Sequence, residues 1–243
     1  MEIIKLENIK KTYLQGKIEV PALRGIDLVI RKGEFTAICG PSGSGKTTLL
    51  NIIGCLDNPT SGKVEIAQQN AGNLSSTQLS ELRLNKIGFV FQAYNLVPVL
   101  TAYENVDLVL SLQGVKVKER HERVMKVLKE VGLEELADRR PAEMSGGQQQ
   151  RVAVARALVA QPELILADEP TANLDSETGK SLLKLMKKLN EDHHVTFLFS
   201  THDSMVMDFS RRLVRIVDGK ISEDIVKDSR MESLPETQNM ENN

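Results

Sequence analysis

Residues 40–47 combine the residue types and the spacing of a loop that binds phosphate. They fit the pattern G-x-x-x-x-G-K-[ST], which closes on Lys46 and Thr47. Glycines in such a loop let successive backbone N–H groups point at one polyphosphate, while the lysine reaches the β- and γ-phosphates and the threonine hydroxyl binds Mg²⁺. A flexible Gly/Ser loop is the alternative, but the segment lies between a predicted strand and a predicted helix, as this motif requires. The predicted nucleotide-binding residues are Gly40, Pro41, Ser42, Gly43, Ser44, Gly45, Lys46, Thr47 and Thr48.

Two adjacent acids, Asp168 and Glu169, follow the apolar run 164–167. A phosphate loop of this kind works with a carboxylate on a neighbouring strand that helps to hold the metal ion. We therefore predict that Asp168 holds Mg²⁺, directly or through water, and that Glu169 polarises an attacking water molecule. Taken alone, the pair could equally be a surface turn after an ordinary strand. Two acids also favour hydrolysis over transfer to a second substrate, because one of them is left free as a base.

A second possible anion cradle begins at Ser145, where a serine and two glycines open a predicted helix. A hydroxyl group, exposed backbone N–H groups and a helix N-terminus all favour an anion. A simple helix N-cap is the alternative, and it would be preferred for these three residues alone. Because the chain already has one phosphate loop, a second cradle is most useful if it contacts a nucleotide held by another chain.

The elements that must position these residues are those of an α/β protein, because short β-branched runs alternate with helical periods. Between residues 101 and 160 the strand signal is weak and helical periodicity dominates, as in Val124, Val127, Leu128 and Val131. The predicted strands are 3–7, 23–30, 34–38, 63–66, 87–91, 164–167, 196–200 and 213–217; the predicted helices are 46–53, 148–160 and 177–190, and 68–76 is predicted to be a loop.

The composition is that of an ordinary globular protein and argues against several classes. The 243 residues include 31 Lys and Arg against 33 Asp and Glu, a net charge of −2, which argues against a protein whose main task is to bind nucleic acid. Two cysteines, Cys39 and Cys55, lie in apolar or motif-like runs and indicate buried free thiols rather than disulfides. The apolar runs are far too short to cross a bilayer, so we expect a cytosolic protein that is soluble by itself.

The segment from Met144 to Gln148 resembles the signature of the ABC family, usually written LSGGQ, with methionine replacing leucine of similar volume. With the phosphate loop and the acid pair, it makes residues 3–226 resemble an ATP-binding subunit of an ABC transporter. The resemblance implies an α/β P-loop NTPase (RecA-like) core with an N-terminal antiparallel β subdomain and an inserted α-helical subdomain. It further implies a cassette over residues 1–228, a helical insert at about 96–160 and a polar, flexible tail over 229–243.

The resemblance also implies roles for individual side chains. In this family the phosphate loop of one subunit and the signature of its partner enclose ATP in a head-to-tail dimer. Tyr13 matches the aromatic residue that stacks on adenine, Gln92 a glutamine that contacts Mg²⁺ or the attacking water, and His202 a histidine that contacts the γ-phosphate. The implied catalytic residues are Glu169, His202 and Gln92. The implied metal ligands are Thr47, Gln92 and Asp168. The residues implied to contact the nucleotide of the partner subunit are Ser145, Gly146, Gly147, Gln148 and Asp175.

Local phrases at 51–57, 87–92 and 104–106 resemble one branch of the family, the ATPases of lipoprotein-release, macrolide-export and related permeases. The branch implies ATP and Mg²⁺ as cofactors, a second ATP-binding subunit, transmembrane permease subunits and no nucleic acid. It places the chain at the inner face of the cell membrane. The apolar stretch 94–100 is hypothesised to line a groove for the permease, or else packs in the core of the insert. The alternatives are a soluble ABC ATPase not coupled to transport and a nucleotide-binding regulator that does not hydrolyse.

Overall fold

A computed structural model describes residues 1–227 of the chain. The predicted tail over 229–243 and the predicted cassette boundary at residue 228 lie outside the described residues. Within residues 1–227 there are ten strands, seven α-helices and three short 3₁₀ helices, the last at Ala71–Asn73, Glu134–Leu136 and Pro141–Glu143. The strands are β1 (Glu2–Gln15), β2 (Ile18–Arg31), β3 (Phe35–Cys39), β4 (Ser61–Ile66), β5 (Gln69–Asn70), β6 (Ile87–Val90), β7 (Leu164–Asp168), β8 (Thr196–Thr201), β9 (Arg212–Val217) and β10 (Lys220–Val226). The helices are α1 (Lys46–Ile53), α2 (Ser76–Lys86), α3 (Ala102–Leu112), α4 (Val117–Glu130), α5 (Gly146–Leu158), α6 (Ser176–His193) and α7 (Ser204–Phe209).

The larger sheet has the strand order β10-β9-β3-β8-β7-β6. Strands β9 to β6 in that order run parallel, and β10 pairs with β9 in the antiparallel sense. Because helices cover both faces, β3, β7 and β8 are buried along nearly their whole length and read as continuous apolar runs. The carboxyl ends of the parallel strands meet at one edge, where such sheets bind ligands. That edge receives the phosphate loop, the acid pair, Gln92 and His202.

The smaller sheet is antiparallel, with the order β2-β1-β4-β5. Its first two strands form a long hairpin that pairs as far as Gln15 opposite Ile18, across a turn at Gly16. The predicted strands 3–7 and 23–30 cover only the inner half of this hairpin. Tyr13, which lies beyond the predicted end of the first strand at residue 7, pairs with Val20 inside the hairpin. The outer half is mostly exposed, so no alternation in hydrophobicity marks it in the sequence.

The larger sheet separates two apolar clusters, because successive residues of its strands point to opposite faces. Ile38 and Leu166 join α1 and the antiparallel sheet in one cluster, while Ala37 and Ile165 join the helical insert in the other. The predicted fold class, a mixed α/β cassette with an antiparallel subdomain and a helical insert, is confirmed. Cys39 and Cys55 are buried free thiols, as predicted.

Helices α3, α4 and α5 form the helical insert, and the apolar face predicted from Val124, Val127 and Leu128 is buried in it. The insert meets the larger sheet through a close backbone contact between β6 and α5. A Cβ atom placed on Gly88 would lie 2.6 Å from the carbonyl oxygen of Ala157. Only glycine therefore allows this strand and this helix to approach so closely.

Several helix boundaries differ from the sequence predictions. The predicted loop 68–76 is wrong in part, because it contains β5 and leads into α2, which Ser75 caps. The sequence gives no helical period there because only Leu82 of α2 is buried. Helix α5 begins two residues before the predicted start, and α7 was not predicted. None of the seven helices described within residues 1–227 has the length and hydropathy of a bilayer span.

Candidate functional site

The phosphate loop joins β3 to α1 in a backbone shape that requires glycine. Gly40 has a φ of 151° and Gly45 a φ of 103°. A Cβ atom at Gly40 would overlap the carbonyl oxygen of Ile216, and one at Gly45 would lie 2.7 Å from the carbonyl oxygen of Ala22. Any side chain at these positions would push the loop away from its neighbours. The loop leads directly into the N-terminus of α1, whose partial positive charge favours an anion.

Two polar side chains of the loop are buried. Lys46 is 8% exposed, and its Nζ donates hydrogen bonds to the carbonyl oxygens of Gly40 at 2.9 Å and Pro41 at 3.0 Å. Ser44 is 3% exposed, and its Oγ has no hydrogen-bond partner among the described residues. A buried ammonium held only by carbonyl dipoles and an unpaired buried hydroxyl both cost free energy that phosphate oxygens would offset. The loop therefore fits the predicted polyphosphate.

Thr47 and Asp168 face each other at the carboxyl edge of the larger sheet, with Thr47 Oγ1 3.4 Å from Asp168 Oδ1. Burial raises the pKa of Asp168 above its ordinary value, and the charge of Glu169 adds to the effect. A cation beside Asp168 would offset this penalty, and oxygen ligands are those that Mg²⁺ prefers. Residues 1–227 contain no cluster of three His, Cys, Asp or Glu side chains that could hold a metal. Thr47 and Asp168 therefore fit a Mg²⁺ ion whose other ligands are phosphate oxygens and water molecules.

Glu169, directly after β7, has a φ of 46°, a left-handed conformation that costs a residue other than glycine about 1–3 kcal/mol. Its N–H donates to the carbonyl oxygen of Ser200 at 2.9 Å. Its carboxylate accepts a hydrogen bond from Thr201 Oγ1 at 3.1 Å and lies 2.7 Å from Nδ1 of His202. The side chain of Glu169 is 15% exposed and that of His202 is 72% exposed. The structure thus brings these two predicted catalytic side chains together at the sheet edge.

The signature residues lie at the N-terminus of α5. Ser145 Oγ accepts a hydrogen bond from the Gln148 N–H at 3.3 Å, and Gln148 Oε1 accepts one from the Ser145 N–H at 2.8 Å, so the two form a capping box. The neighbours of Gly146 are Tyr94, Leu174 and Asn173 rather than any residue of the phosphate loop. The N-cap interpretation is therefore realised within the chain, and the two predicted cradles lie on separate elements.

Asp175 caps the helix that faces the signature. Its carboxylate accepts hydrogen bonds from the N–H groups of Glu177 at 3.1 Å and Thr178 at 2.9 Å and from the Thr178 hydroxyl at 2.6 Å. The Thr178 hydroxyl lowers the pKa of Asp175 most, followed by the Thr178 backbone N–H. Asp175 consequently fixes the start of α6 beside the signature helix.

Tyr13 lies near the end of β1, and its side chain is held by two residues that the sequence analysis missed. Its Oη donates a hydrogen bond to Asp57 Oδ2 at 2.8 Å, and Nζ of Lys11 lies 4.8 Å from the centre of its ring. Tyr13 is 39% exposed. No local pattern signals the contact with Asp57, because Asp57 lies 44 residues away in sequence.

Gln92 is exposed and follows β6 after one residue, and its carbonyl oxygen accepts a hydrogen bond from Nδ2 of Asn173 at 2.9 Å. The segment around it is bound by two side chains of α5 that the sequence analysis also missed. Nε2 of Gln150 donates to the carbonyl oxygens of Phe91 at 3.4 Å and Pro170 at 2.8 Å, and the guanidinium of Arg156 donates to the carbonyl oxygens of residues 94 and 95. Polar residues among the valines and alanines of α5 are the signal that could have found them.

Comparison with known proteins gives a consistent result. A family model described as ABC transporter matches residues 23–172, more than half of the chain. Over 223 residues the chain is 50% identical to the macrolide export ATP-binding/permease protein MacB of Syntrophobacter fumaroxidans, covering 91% of this chain but only 31% of that protein. It is 49% identical over 223 residues to MJ0796 of Methanocaldococcus jannaschii, described as an uncharacterized ABC transporter ATP-binding protein, covering 90% of this chain and 95% of that one.

Solved structures agree with these relatives. A structure described as a dimeric post-hydrolysis state of the ATP-binding cassette MJ0796 bound to ADP and Pi matches with a TM-score of 0.85 at 46% identity, covering 92% of this chain and 98% of that chain. The structure of cbiO1 from Clostridium perfringens, described as part of an ABC transporter complex, matches with a TM-score of 0.83 at 30% identity and covers 92% of this chain and 88% of that chain.

Proposed function

Because the chain belongs to the ABC transporter family and is an ATPase subunit of that family, we propose that it works as a head-to-tail dimer that drives a membrane permease. The observation that carries the proposal is the pair of Glu169 and His202 at the sheet edge that also holds the phosphate loop. A regulator that only binds nucleotide has no need of a buried carboxylate held at this edge by an imidazole and a hydroxyl.

In this proposal the phosphate loop and Lys46 bind the phosphates of ATP, and Tyr13 stacks on the adenine. Thr47, Asp168 and Gln92 hold Mg²⁺, which supplies positive charge against the phosphates. Glu169 accepts the proton of the attacking water, and His202 orients that carboxylate and contacts the γ-phosphate. Burial of Asp168 supports its metal role, because a metal cation bound there would offset the desolvation that raises the pKa of this carboxyl group.

The second half of each ATP site comes from the partner subunit in this proposal. Ser145, Gly146, Gly147 and Gln148 would present the N-terminus of α5 to a γ-phosphate held by the other chain, with Asp175 at the same interface. Two observations support this: Gly146 is surrounded by residues other than those of its own phosphate loop, and the MJ0796 structure is described as dimeric. The proposed cassette comprises residues 1–228, with the insert at about 96–160 and a polar tail over 229–243.

A groove of about 570 Å³ between α2, β6, α3 and α5 is the proposed docking site for the permease. Its apolar lining includes Phe91, Leu56 and Leu112, and the last two are 49% and 66% exposed. Of the stretch 94–100, only Asn95 lines this groove, while Leu96 packs against the core of the insert. The stretch 94–100 thus contributes Asn95 to the lining of this groove, and the proposed docking site is built mainly from α2, β6 and α3.

The relatives support a place in export or lipoprotein release. MacB of Syntrophobacter fumaroxidans is named an ATP-binding/permease protein, and this chain covers 31% of it. We propose that this chain acts on permease subunits of that kind from the inner face of the cell membrane. The second candidate, an ABC ATPase not coupled to transport, is separated from the first by the groove, whose exposed leucines it would leave uncovered.

Two measurements test the proposal. The first is ATP hydrolysis and ATP-dependent dimerisation of the purified chain, which Lys46→Ala should reduce severely because the phosphates lose their ammonium partner. Near-normal activity of that variant would contradict the site. The second is purification from the native membrane with whatever is bound. A transmembrane permease in the complex supports coupling to transport, and a complex composed only of soluble proteins supports the alternative.

A further inference from the structure

Asp57 is the centre of a small polar cluster beside the phosphate-loop helix. Its carboxylate accepts hydrogen bonds from Nζ of Lys11 at 2.6 Å, from the Asn58 N–H at 2.7 Å and from Tyr13 Oη at 2.8 Å. Burial opposes ionisation of Asp57, but the hydrogen bonds from Lys11 and Tyr13 outweigh it and lower its pKa. The carboxylate is thus ionised at neutral pH and holds both side chains.

Lys11 restrains the same tyrosine from a second direction. Its Nζ lies 4.8 Å from the ring centre, the distance of a cation–π contact. It is also held by the Asn58 carbonyl oxygen at 2.7 Å, so the ammonium is fixed by three partners. With one face of the ring covered by Lys11, a flat base has the opposite face on which to stack.

The cluster also connects the antiparallel sheet to the phosphate loop. The N–H groups of Leu56 and Asp57 donate to the carbonyl oxygen of Asn51 at 2.8 and 3.2 Å, so Asp57 is anchored to α1, the helix that begins at Lys46. Tyr13, in contrast, belongs to the exposed outer half of the β1–β2 hairpin. The Tyr13 hydroxyl also contacts Thr48 of α1, so Asp57 is the second link between this ring and the phosphate-loop helix.

We propose that Lys11 and Asp57 are positioning residues that set the Tyr13 ring at a fixed distance and angle from the phosphate loop, ready to receive the base of ATP. This rests on the proposed function, in which Tyr13 stacks on adenine. Fixing the ring before the nucleotide arrives removes from binding the entropic cost of ordering a rotatable side chain. The cluster acts on affinity and not on the chemical step.

The test is isothermal titration calorimetry with two ligands, ATP and inorganic tripolyphosphate, together with steady-state ATPase kinetics. Asp57→Ala should raise the Kd and the KM for ATP by about three- to tenfold, from the ordering cost above. The Kd for tripolyphosphate and kcat at saturating ATP should not change, because neither depends on the base. Lys11→Met, which keeps an apolar stem over the ring, should change affinity in the same direction and guards against misfolding of the first variant.

A double-mutant cycle identifies the route through Tyr13. Tyr13→Phe removes the Oη that Asp57 binds, so Asp57→Ala combined with Tyr13→Phe should weaken ATP binding no more than the stronger single variant. Glu7→Ala is the matched control, because it removes an acid of β1, the strand that contains Tyr13, and this acid pairs with Lys5 at 2.7 Å. Its Kd for ATP should equal that of the wild type.

Three results would overturn the inference: an ATP Kd within about twofold of wild type in Asp57→Ala, an equal loss for ATP and tripolyphosphate, or additive effects in the cycle. The second would mean that Asp57 supports the loop itself. A wild-type chain that binds tripolyphosphate and not ATP would overturn both this inference and the proposed function, so the two failures are distinguishable.

Discussion

Glu169 is the residue on which the proposed hydrolysis depends most, because it is the buried member of its pair with His202. Glutamine keeps the length and shape of the side chain, but a neutral amide does not accept a proton from water. We expect Glu169→Gln to lower kcat by about 10²- to 10⁴-fold. Binding contacts survive, so an ATP-bound dimer should accumulate. ATPase assays and light scattering after size-exclusion chromatography measure the two effects.

Glu191→Gln is the matched control for this substitution. Glu191 pairs with Arg211 at 2.7 Å on the outside of the protein, and both side chains are about half exposed. Its kcat should stay at the wild-type value. A Glu169→Gln variant that turns over normally, or that remains monomeric at saturating ATP, would contradict the role of Glu169 as base.

Functional residues could be predicted from the sequence where they belong to a contiguous motif. The phosphate loop and the acid pair are of this kind. Other residues were not predictable, because the role of each depends on a contact with a residue that is distant in sequence; these are Lys11, Asp57 and Gln150. Lys11 and Asp57 are 46 residues apart, and Gln150 binds a carbonyl oxygen 20 residues away. No spacing rule connects such pairs before the strand order is known.

At the scale of elements, the phosphate loop precedes α1 and the signature precedes α5. Mixing two defective chains tests whether one ATP site uses the phosphate loop of one subunit and the signature of the other. Lys46→Ala damages the first and Ser145→Arg the second, so each variant alone should hydrolyse little ATP. In a mixed head-to-tail dimer, the loop of the Ser145→Arg chain meets the intact signature of the Lys46→Ala chain. An equal mixture should then recover up to about a quarter of wild-type activity, given random pairing and one working site in each mixed dimer.

Recovery in this experiment requires exchange of subunits, so its control is a mixture of two Lys46→Ala preparations, which should stay inactive. If the Ser145→Arg chain hydrolyses ATP alone at the wild-type rate, or if the mixture recovers nothing while mixed dimers form, the composite site is wrong.

The elements that hydrophobic periodicity predicts from the sequence are those with one or two buried faces. Strands β3, β7 and β8 are covered on both faces, and α4 has one buried face, so each shows a clear apolar pattern. The outer half of the β1–β2 hairpin and helix α2 bury almost nothing and depend on pairing and on caps. Backbone hydrogen bonds stabilise these two elements, and such bonds constrain residue type less than burial of an apolar face does.

At the scale of the whole molecule, Arg212 ties the two sheets together. Its guanidinium donates to the carbonyl oxygen of Val29 at 2.8 Å, to Glu34 at 3.0 Å, and to both oxygens of Asp224 at 2.8 and 2.7 Å. Arg212→Met leaves these acceptors without their donor and should lower the free energy of unfolding by about 3 kcal/mol. Urea denaturation at pH 7 measures the loss. Arg211 forms a half-exposed ion pair, so Arg211→Met should lower the free energy of unfolding by less than about 1 kcal/mol. Equal losses in the two variants would contradict the role of Arg212 in linking the two sheets.

The same ion pair predicts a pH dependence. Hydrogen bonds from Arg212 lower the pKa of Asp224 from its ordinary value of 3.8. A carboxyl group with a depressed pKa in the folded state stabilises the protein above its unfolded-state pKa, and the stabilisation is lost as pH falls through the folded-state value. The difference in unfolding free energy between wild type and Arg212→Met should therefore be constant from pH 7 to pH 5 and narrow below about pH 4. A difference that grows on acidification would contradict the assignment.

The groove that is proposed to receive the permease gives a prediction for the assembled complex. Leu112 is 66% exposed at the end of α3 and lines the groove. Leu112→Asp should abolish co-purification of the permease, while the ATPase activity of the isolated chain is retained and stability changes by less than about 0.5 kcal/mol. Val117→Asp, at a 71% exposed position on α4 outside the groove lining, is the control and should leave the complex intact. Retention of the permease by Leu112→Asp would place docking elsewhere.

The contact between Gly88 and Ala157 has a mechanical consequence. Both residues line the groove, and a side chain at Gly88 would meet the backbone and the Cβ atom of Ala157 at once. Side chains at a joint rotate and absorb small displacements, whereas touching backbones cannot, so the joint between β6 and α5 is stiff. We expect a displacement of the groove floor to move β6, which leads to Gln92, together with α5, which begins at the signature. The occupancy of the groove would then be felt at the edge of the sheet that carries the predicted catalytic residues.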